Sequence, residues 1–497
     1  MLPNQVLWLI DCEPRAVQQE ALLRSYYGYA SRDNRHDEPK PVKLREGAAE
    51  GWGHFLEMRL GKTPTALNEM ALFNRDHGFR KFVVLSPNSY KSAWVKEAAV
   101  FGMDVPFFAY ETSRSNEAVK FIQENYAGSF CLVVNYEALQ YDNTREILKW
   151  VVDKDCMLVA DESIKIKNHT SITFKRALEL SKEAGAIREL TGCPMTQGPQ
   201  DMYAQLKFIR GLDGKNFYSF RNRFCKMGGF KNKKIVGIKN EEELKETIHS
   251  MGFVAKRKDW GNPHQSEHYV VDLEIKDEQK KHYDAMNQDF VTMLDTGEEI
   301  SAEQVVSKMM KLQQISSGFL YNEKGEGVKL MDLKNTPKMQ RLKEMLEDEV
   351  EGKAIICYHY GYSGDALLET FEKWNPAVIR GKQWMNKNER DLDEEKKRFN
   401  EDDDCRLIIL QISAGKYGHN LSGIENNRCK TMFFYENTYS LDDRIQIEMR
   451  NTAAFQDWQN VYFDLVTTEV ERKAIKALQK KESIVEAVLG HYERRKA

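Results

Sequence analysis

Two short clusters, far apart in the chain, hold side chains suited to phosphate chemistry: Gly61-Lys62-Thr63 and Asp161-Glu162. A glycine before Lys-Thr lets backbone N–H groups crowd against phosphate oxygens at a helix N-terminus, where the helix dipole favours anions. Lys62 would reach the outer phosphates, and the Thr63 hydroxyl would ligate magnesium. An aspartate closing a buried strand can hold the same magnesium, and a glutamate beside it can orient and deprotonate an attacking water. Together the two clusters describe a site that hydrolyses a nucleotide.

The flanking residues supply what such a site needs. Asp161 closes the apolar run Cys156–Ala160, and Lys62 opens a helix-like stretch, Thr65–Phe73. Strand-like runs separated by helical stretches occur in two sets. The first is Phe82–Leu85, Phe130–Val134, Met157–Ala160 and Ile187–Leu190; the second is Ala354–Cys357, Leu407–Leu410, Thr431–Phe434 and Val461–Leu465. Short buried strands alternating with helices predict parallel sheets covered on both faces, hence an α/β fold of two lobes. Between the sets helical signals dominate, as in Ser301–Ile315. The expected division is a first lobe over 1–212, a mainly helical basic insertion over 213–334, a second lobe over 335–468 and a helical tail over 469–497.

A chain of 497 residues suggests two to four domains. No run of ~18 apolar residues and no signal-peptide pattern is present, so a soluble cytoplasmic protein is expected. The eight cysteines are scattered without ligand spacing, which indicates neither zinc nor a disulfide framework. A net charge of -3 argues against wholesale coating of an acidic polymer. Between Asp213 and Lys258, however, twelve Lys or Arg face five acids, a local excess of +7 that suits phosphates.

In order, the segments resemble the superfamily 2 helicase-like ATPases, and within them the Swi/Snf-type DNA translocases. Glu57–Thr63 is similar to the family's Asp-Glu-Met-Gly-Leu-Gly-Lys-Thr, and Pro14–Gln18 resembles the upstream motif whose glutamine reads adenine. Pro87, Trp94 and Glu97 match a Pro…Trp…Glu segment, and Val134–Glu137 resembles Thr-Thr-Tyr-Glu. Asp161–Asn168 is similar to the Asp-Glu-Ala-His…Lys-Asn box, and Leu190–Pro194 to Leu-Thr-Gly-Thr-Pro. Lys256–Lys258, Gln279 and Tyr283 echo the family's inserted region. Gly381, Arg390, Phe399, Ser413–Leu421, Gln446, Arg450 and Gln456 continue the match.

The resemblance implies two RecA-like lobes that close on ATP and Mg2+ and move along double-stranded or branched DNA. It assigns catalysis to Lys62, Glu162 and Arg450, and ATP contacts to Gln18, Arg59, Gly61, Lys62, Thr63 and Gly415. Magnesium falls to Thr63 and Asp161, coupling to Thr191, Gly192 and Gln446. DNA falls to Lys91, Asn135, Tyr136 and Asn420, and the basic stretch adds Lys231, Lys233 and Lys234. Compactness and the Glu-Met-Arg-x-Gly-Lys-Thr loop resemble bacterial or phage members, which points to replication, recombination or repair of DNA, with replication or recombination proteins as partners; a monomer is expected. Four positions depart from the pattern: Arg59 replaces a glycine, Ile164 the histidine, and Ala453 and Phe455 the last motif's Arg and Gly. With Ala453 in that place, Arg450 or Arg444 is left as the arginine finger. A strand-separating helicase on DNA or RNA and a binding module without turnover are the alternatives.

Because phosphate contacts set the salt slope, reversing the charges of Lys231, Lys233 and Lys234 should weaken DNA binding broadly and flatten its salt dependence. A titration of affinity against salt checks this; an unchanged slope would place these lysines on an idle solvated surface.

Overall fold

The computed structural model describes residues 7–27, 50–212, 214–228, 234–261, 265–295, 302–381, 391–416, 420–424, 427–453 and 456–489. They fall into two compact units: the described residues up to Gly261 with those from Lys481 on, and those from Gln265 to Lys480.

The first unit holds β1 (Glu50–Leu56), β2 (Lys81–Ser86), β3 (Phe107–Ala109), β4 (Phe130–Asn135), β5 (Cys156–Asp161), β6 (Ala186–Leu190), the hairpin β7 (Cys225–Gly228) and β8 (Lys234–Ile238), and β9 (Gly252–Ala255). Seven of these form a parallel sheet in the order β3-β4-β2-β5-β6-β1-β9. Parallel neighbours need crossovers, and helices such as Lys62–His77, Lys91–Val100 and Ile172–Glu183 supply them. Phe82, Val84, Val133, Met157 and Val159 pack with Phe73 and Trp94 from these helices, so β2, β4 and β5 read as unbroken apolar runs.

Sequence patterning does not reveal β1, because its Glu-Gly-Trp-Gly-His start breaks the apolar signal. Those glycines answer to packing: a Cβ on Gly51 would lie 1.8 Å from the Ile209 carbonyl oxygen. Since β1, β5 and β6 run parallel, Leu56, Asp161 and Leu190 all end on one edge of the sheet, with Leu190 in register with both His54 and Asp161. That edge collects both chemical clusters.

The second unit holds β10 (Ser266–Asp272), the hairpin β11 (Phe319–Tyr321) and β12 (Gly327–Lys329), then β13 (Lys353–Tyr358), β14 (Ala377–Ile379), β15 (Leu407–Gln411), β16 (Gly423–Ile424), β17 (Asn427–Phe434) and β18 (Asn460–Val466). Its sheet runs β10-β18-β17-β13-β15-β14, all parallel, with β16 antiparallel on β17. Ile355 and Met432 enter one core, Ile356 and Phe433 the other, so both faces are buried.

The stretch 213–334 is divided between the units. It carries the helices Phe217–Phe224, Glu241–Met251, Asp277–Asp295 and Ala302–Ser316, but also β9, which joins the first sheet, and β10, which joins the second. β10 is an edge strand with mostly exposed side chains, which is why its sequence lacks an apolar strand signal. Helices dominate the stretch, and short strands tie its halves to different sheets.

Glu189 on β6 is fully buried, and neither carboxylate oxygen has a hydrogen-bond partner. Gly53 and Ala160, its neighbours on β1 and β5, leave room for it. Burial pushes its carboxyl well above the usual carboxylate range. The folded state therefore keeps a proton that the unfolded chain loses, and stability falls as pH rises from the unfolded value near ~4.3 towards the folded one. Glu189→Gln should raise the melting temperature by a few degrees at pH about 8 and leave it nearly unchanged at pH about 4; parallel melting curves at the two pH values check this.

Candidate active site

The phosphate loop leaves β1 at Leu56 and turns through two left-handed residues, Arg59 (φ 70°) and Gly61 (φ 89°), before the helix Lys62–His77. The chain upstream grips both turns. The Arg15 side chain donates through Nη1 to the Arg59 carbonyl at 2.5 Å, and Gln18 Nε2 donates to the Gly61 carbonyl at 3.3 Å. Gln18 Oε1 accepts from the Arg15 backbone N–H at 2.7 Å. A Cβ on Gly61 would stand 2.4 Å from Gln18 Nε2, so glycine is required here for space as well as for φ.

The Arg59 departure has a conformational side. A left-handed φ suits glycine, and an arginine there costs about 1–2 kcal/mol. Its guanidinium is desolvated and lies in the fields of Tyr90, Arg257 and Glu97. Glu162 is the other left-handed non-glycine residue in this site, at φ 50°. Strain of this kind collects where surrounding structure dictates the backbone.

Asp161 ends β5 with its carboxylate buried. Its Oδ2 accepts from Trp94 Nε1 at 2.8 Å and from Ser86 Oγ at 3.3 Å, while its backbone carbonyl accepts from the Tyr136 hydroxyl at 2.7 Å. Burial raises the carboxyl's pKa; the Trp94 bond and the Lys62 ammonium pull it back, and Glu97 raises it further. Glu97 accepts from the Tyr90 hydroxyl at 2.7 Å, and the Thr63 hydroxyl bonds with both side chains. Lys62 Nζ donates to the Leu56 carbonyl at 3.3 Å. Thr63, Asp161 and Glu97 offer oxygen donors only, which fits a hard divalent cation carried with phosphates. Among the described residues no three His, Cys, Asp or Glu form a metal cage, so phosphate oxygens and water would complete its shell.

Two residues expected to face nucleic acid point elsewhere. Tyr136 is 1% exposed and braces Asp161. Lys91 is 2% exposed, its ammonium taken by the Tyr110 carbonyl, Glu111 and Asn135 Oδ1 at 2.6, 2.8 and 3.3 Å. A local motif does not reveal this burial or the partners these donors take. Asn135 is half-buried and also donates to Glu137 at 3.1 Å. Conversely, the roles of Tyr90, Trp94, Glu97 and Ser86 go unread in the sequence. Tyr90, Trp94 and Glu97 are spaced i, i+4, i+7, which puts them on one helical face and is the signal that marks them.

The loop after β6 lies against the phosphate loop. Thr191 N–H donates to the His54 carbonyl at 3.3 Å, and a Cβ on Gly192 would meet Met58 backbone N and Cγ at 3.2 Å. Ser163, next to the Asp-Glu pair, donates to Gln205 Oε1 at 2.9 Å, and Gln205 Nε2 donates to the Pro194 carbonyl. Ile164 is buried in the core, and Lys167 donates to Thr196 Oγ1 at 2.7 Å.

In the second unit Gly415 ends the short helix Ile412–Gly415, where a Cβ would lie 2.3 Å from Leu410 Cδ1. Asn420 is exposed, and its carbonyl accepts from Asn400 at 2.7 Å. Arg450 is 5% exposed, donating from Nε to the Gln446 carbonyl at 2.7 Å and from Nη2 to Gln446 Oε1 at 3.4 Å. The Leu421 N–H donates to the Arg450 carbonyl at 2.8 Å, which ties the Asn420 loop to this turn. Arg444 is locked in ion pairs with Asp464 and Glu448, over the Phe434 ring at 3.5 Å. Lys231, Lys233, Arg390, Gly418 and Phe455 lie outside the described residues, and of Lys234 only the backbone, opening β8, is described. No helix among the described residues is long and apolar enough to cross a membrane.

A family model described as the SNF2-related domain matches residues 43–318. The protein p41 of Acyrthosiphon pisum secondary endosymbiont phage 1 is 24% identical over 259 residues, 47% of this chain and 53% of that protein. A Caenorhabditis elegans homologue of SWI/SNF-related matrix-associated actin-dependent regulator of chromatin subfamily A-like protein 1 is 27% identical over 258 residues, 49% of this chain and 34% of its own length. The chain thus spans about half or less of these curated relatives. The solved Sulfolobus solfataricus SWI2/SNF2 ATPase core in complex with dsDNA aligns over 98% of this chain and 100% of its own, at 19% identity and a TM-score of 0.42. The family match takes in more than half of the chain, with the phosphate loop, the Asp-Glu pair and the Thr191-Gly192 loop inside it: the chain belongs to the SNF2-related family.

Proposed function

We propose that this chain is an ATP-dependent double-stranded DNA translocase that remodels forks, branched DNA or DNA–protein complexes in replication, recombination or repair. The observation that carries the reading is the Asp161 carboxylate, pinned by Trp94 and Ser86 within the electrostatic reach of Lys62, on the sheet edge that bears the phosphate loop. Family membership supports it, and the chromatin-regulator name of the Caenorhabditis elegans relative supports DNA as the track.

In this reading the helix N-terminus at Gly61-Lys62 receives the ATP phosphates, and Lys62 leaves the Leu56 carbonyl to meet them. Thr63 and Asp161 would hold Mg2+, which when bound neutralises phosphate charge. Glu162, set at a left-handed turn just past β5, orients the attacking water and takes its proton. Gln18 keeps the loop in shape from behind. The contacts of Gly192 with Met58, and of Ser163 with Pro194 through Gln205, are the route by which the site's state reaches the loop after β6. Arg450, held by Gln446, is assigned the charge-neutralising role of an arginine finger, with Arg444 committed to its ion pairs.

ATP turnover should rise on adding duplex DNA and fall by about 10²–10⁴-fold in Glu162→Gln, with Lys62→Ala similarly impaired. Steady-state rates with duplex, single-stranded and branched DNA and with RNA check this. Turnover indifferent to duplex DNA would overturn the translocase reading, and unwinding of a tailed duplex would favour the helicase. Trp94→Phe removes the bond that lowers the Asp161 pKa, so the acid limb of kcat/KM should move to higher pH while the alkaline limb stays in place; a pH–rate profile of the two proteins tests it.

A further inference from the structure

The helix Phe217–Phe224 follows the motifs of the site and carries the most exposed aromatic ring among the described residues, Tyr218, at 65%. That ring is anchored. It meets Phe217 edge-on at 6.0 Å, and Phe217 stacks on His169 at 3.8 Å and packs against Tyr203 at 5.4 Å. Arg221, one turn along, lies over the Tyr218 ring at 5.2 Å and has no carboxylate partner among the described residues.

Among the described residues no carboxylate pairs with Lys175, Lys207 or Lys215, whereas Arg223, further along the same helix, pairs with Glu243. Lys207 donates to the Tyr203 hydroxyl at 3.2 Å, and burial, together with Lys175 and Lys207, holds the His169 imidazole below its ordinary pKa. The Lys215 carbonyl accepts from the Tyr203 hydroxyl at 3.4 Å, which brings a further lysine to the cluster. Elsewhere in this unit exposed cations pair with neighbouring acids, as Arg145 does with Asp142, Lys149 with Glu146 and Arg176 with Glu179. An anchored, exposed ring, with Arg221 over one face and lysines nearby that have no carboxylate partner among the described residues, has the two parts of a single-strand platform: cations for phosphates and a second π-face for a base. An intact duplex keeps its bases stacked on one another and offers that ring nothing. An unpaired nucleotide does.

We propose that this face is a second nucleic-acid site, which takes unpaired nucleotides by stacking a base on Tyr218 while Arg221 and the nearby lysines hold the flanking phosphates. It deepens the translocase reading, since it would favour DNA in which a duplex adjoins a single-stranded segment.

The test uses the full chain with a labelled oligothymidine and a labelled duplex of equal length, read by fluorescence anisotropy. Tyr218→Ala should weaken oligothymidine binding by about five- to a hundred-fold and leave duplex affinity unchanged. Tyr218→Trp should keep the affinity, and the fluorescence that its added indole contributes should be quenched by oligothymidine. Equal weakening towards both DNAs, no weakening, an added indole signal that stays unquenched, or a preference for a phosphopeptide of equal charge would each overturn the proposal. Duplex-stimulated ATP turnover on the same samples separates the two readings. Stimulated turnover with Tyr218-independent oligothymidine binding refutes this inference alone; Tyr218-dependent binding by a chain whose turnover ignores DNA refutes the translocase reading alone.

Discussion

A carboxylate at the end of a buried parallel strand is costly to desolvate, and the first unit is arranged around meeting that cost at Asp161. Trp94 and Ser86 donate to the side chain and Tyr136 to its backbone carbonyl. These partners come from the helix after β2, from the end of β2 and from the turn after β4, so the sheet order determines which groups can reach the aspartate. Lys62 and Glu97 act on the same carboxyl in opposite directions. Burial raises the pKa of both Asp161 and Glu97, so the packing of the sheet edge sets the protonation of its carboxyls.

The phosphate loop shows the same dependence on neighbours. Left-handed turns at Arg59 and Gly61 do not persist unaided, and their carbonyls are held by Arg15 and Gln18, at the start of the helix Ala16–Ser25. A residue that the family resemblance assigns to adenine therefore also has a mechanical role here. Gly192, just past β6, leaves too little space beside Met58 for a Cβ, so the loop is bounded by two segments that belong to different parts of the chain.

A second buried ionic system joins β1, β6 and the helix Lys62–His77. Glu69 accepts from Arg188 at 2.8 Å and meets His54 at 2.9 Å, all three fully buried. Burial pushes the Glu69 carboxyl up, but Arg188 and His54 outweigh it and draw the pKa down to about 2. Such a network fixes the register of β1 against β6, where the neighbouring Glu189 lacks any partner. One face of β6 thus satisfies its charge and the other suppresses it by keeping a proton.

The strands β2, β4, β5, β6, β13, β15, β17 and β18 were legible in the sequence, because a strand buried on both faces is mostly an apolar run, although β6 carries two charged residues, Arg188 and Glu189, inside it. So was the position of the two clusters at a helix start and a strand end, because Lys62 opens a periodic helical stretch and Asp161 closes an apolar run. β1 and β10 were not, since one is shaped by glycines under a helix end and the other is a polar edge. Nor was the placement of Lys91 and Tyr136, whose types suit a surface contact but whose donors are spent inside, or of Arg444, locked by Asp464 from another element. The amino-acid sequence by itself determined which chemistry the chain is equipped for, because that depends on residue type and local spacing. Only the tertiary structure decided which of those residues are buried among partners and which stay exposed, because that depends on packing and on groups distant along the chain.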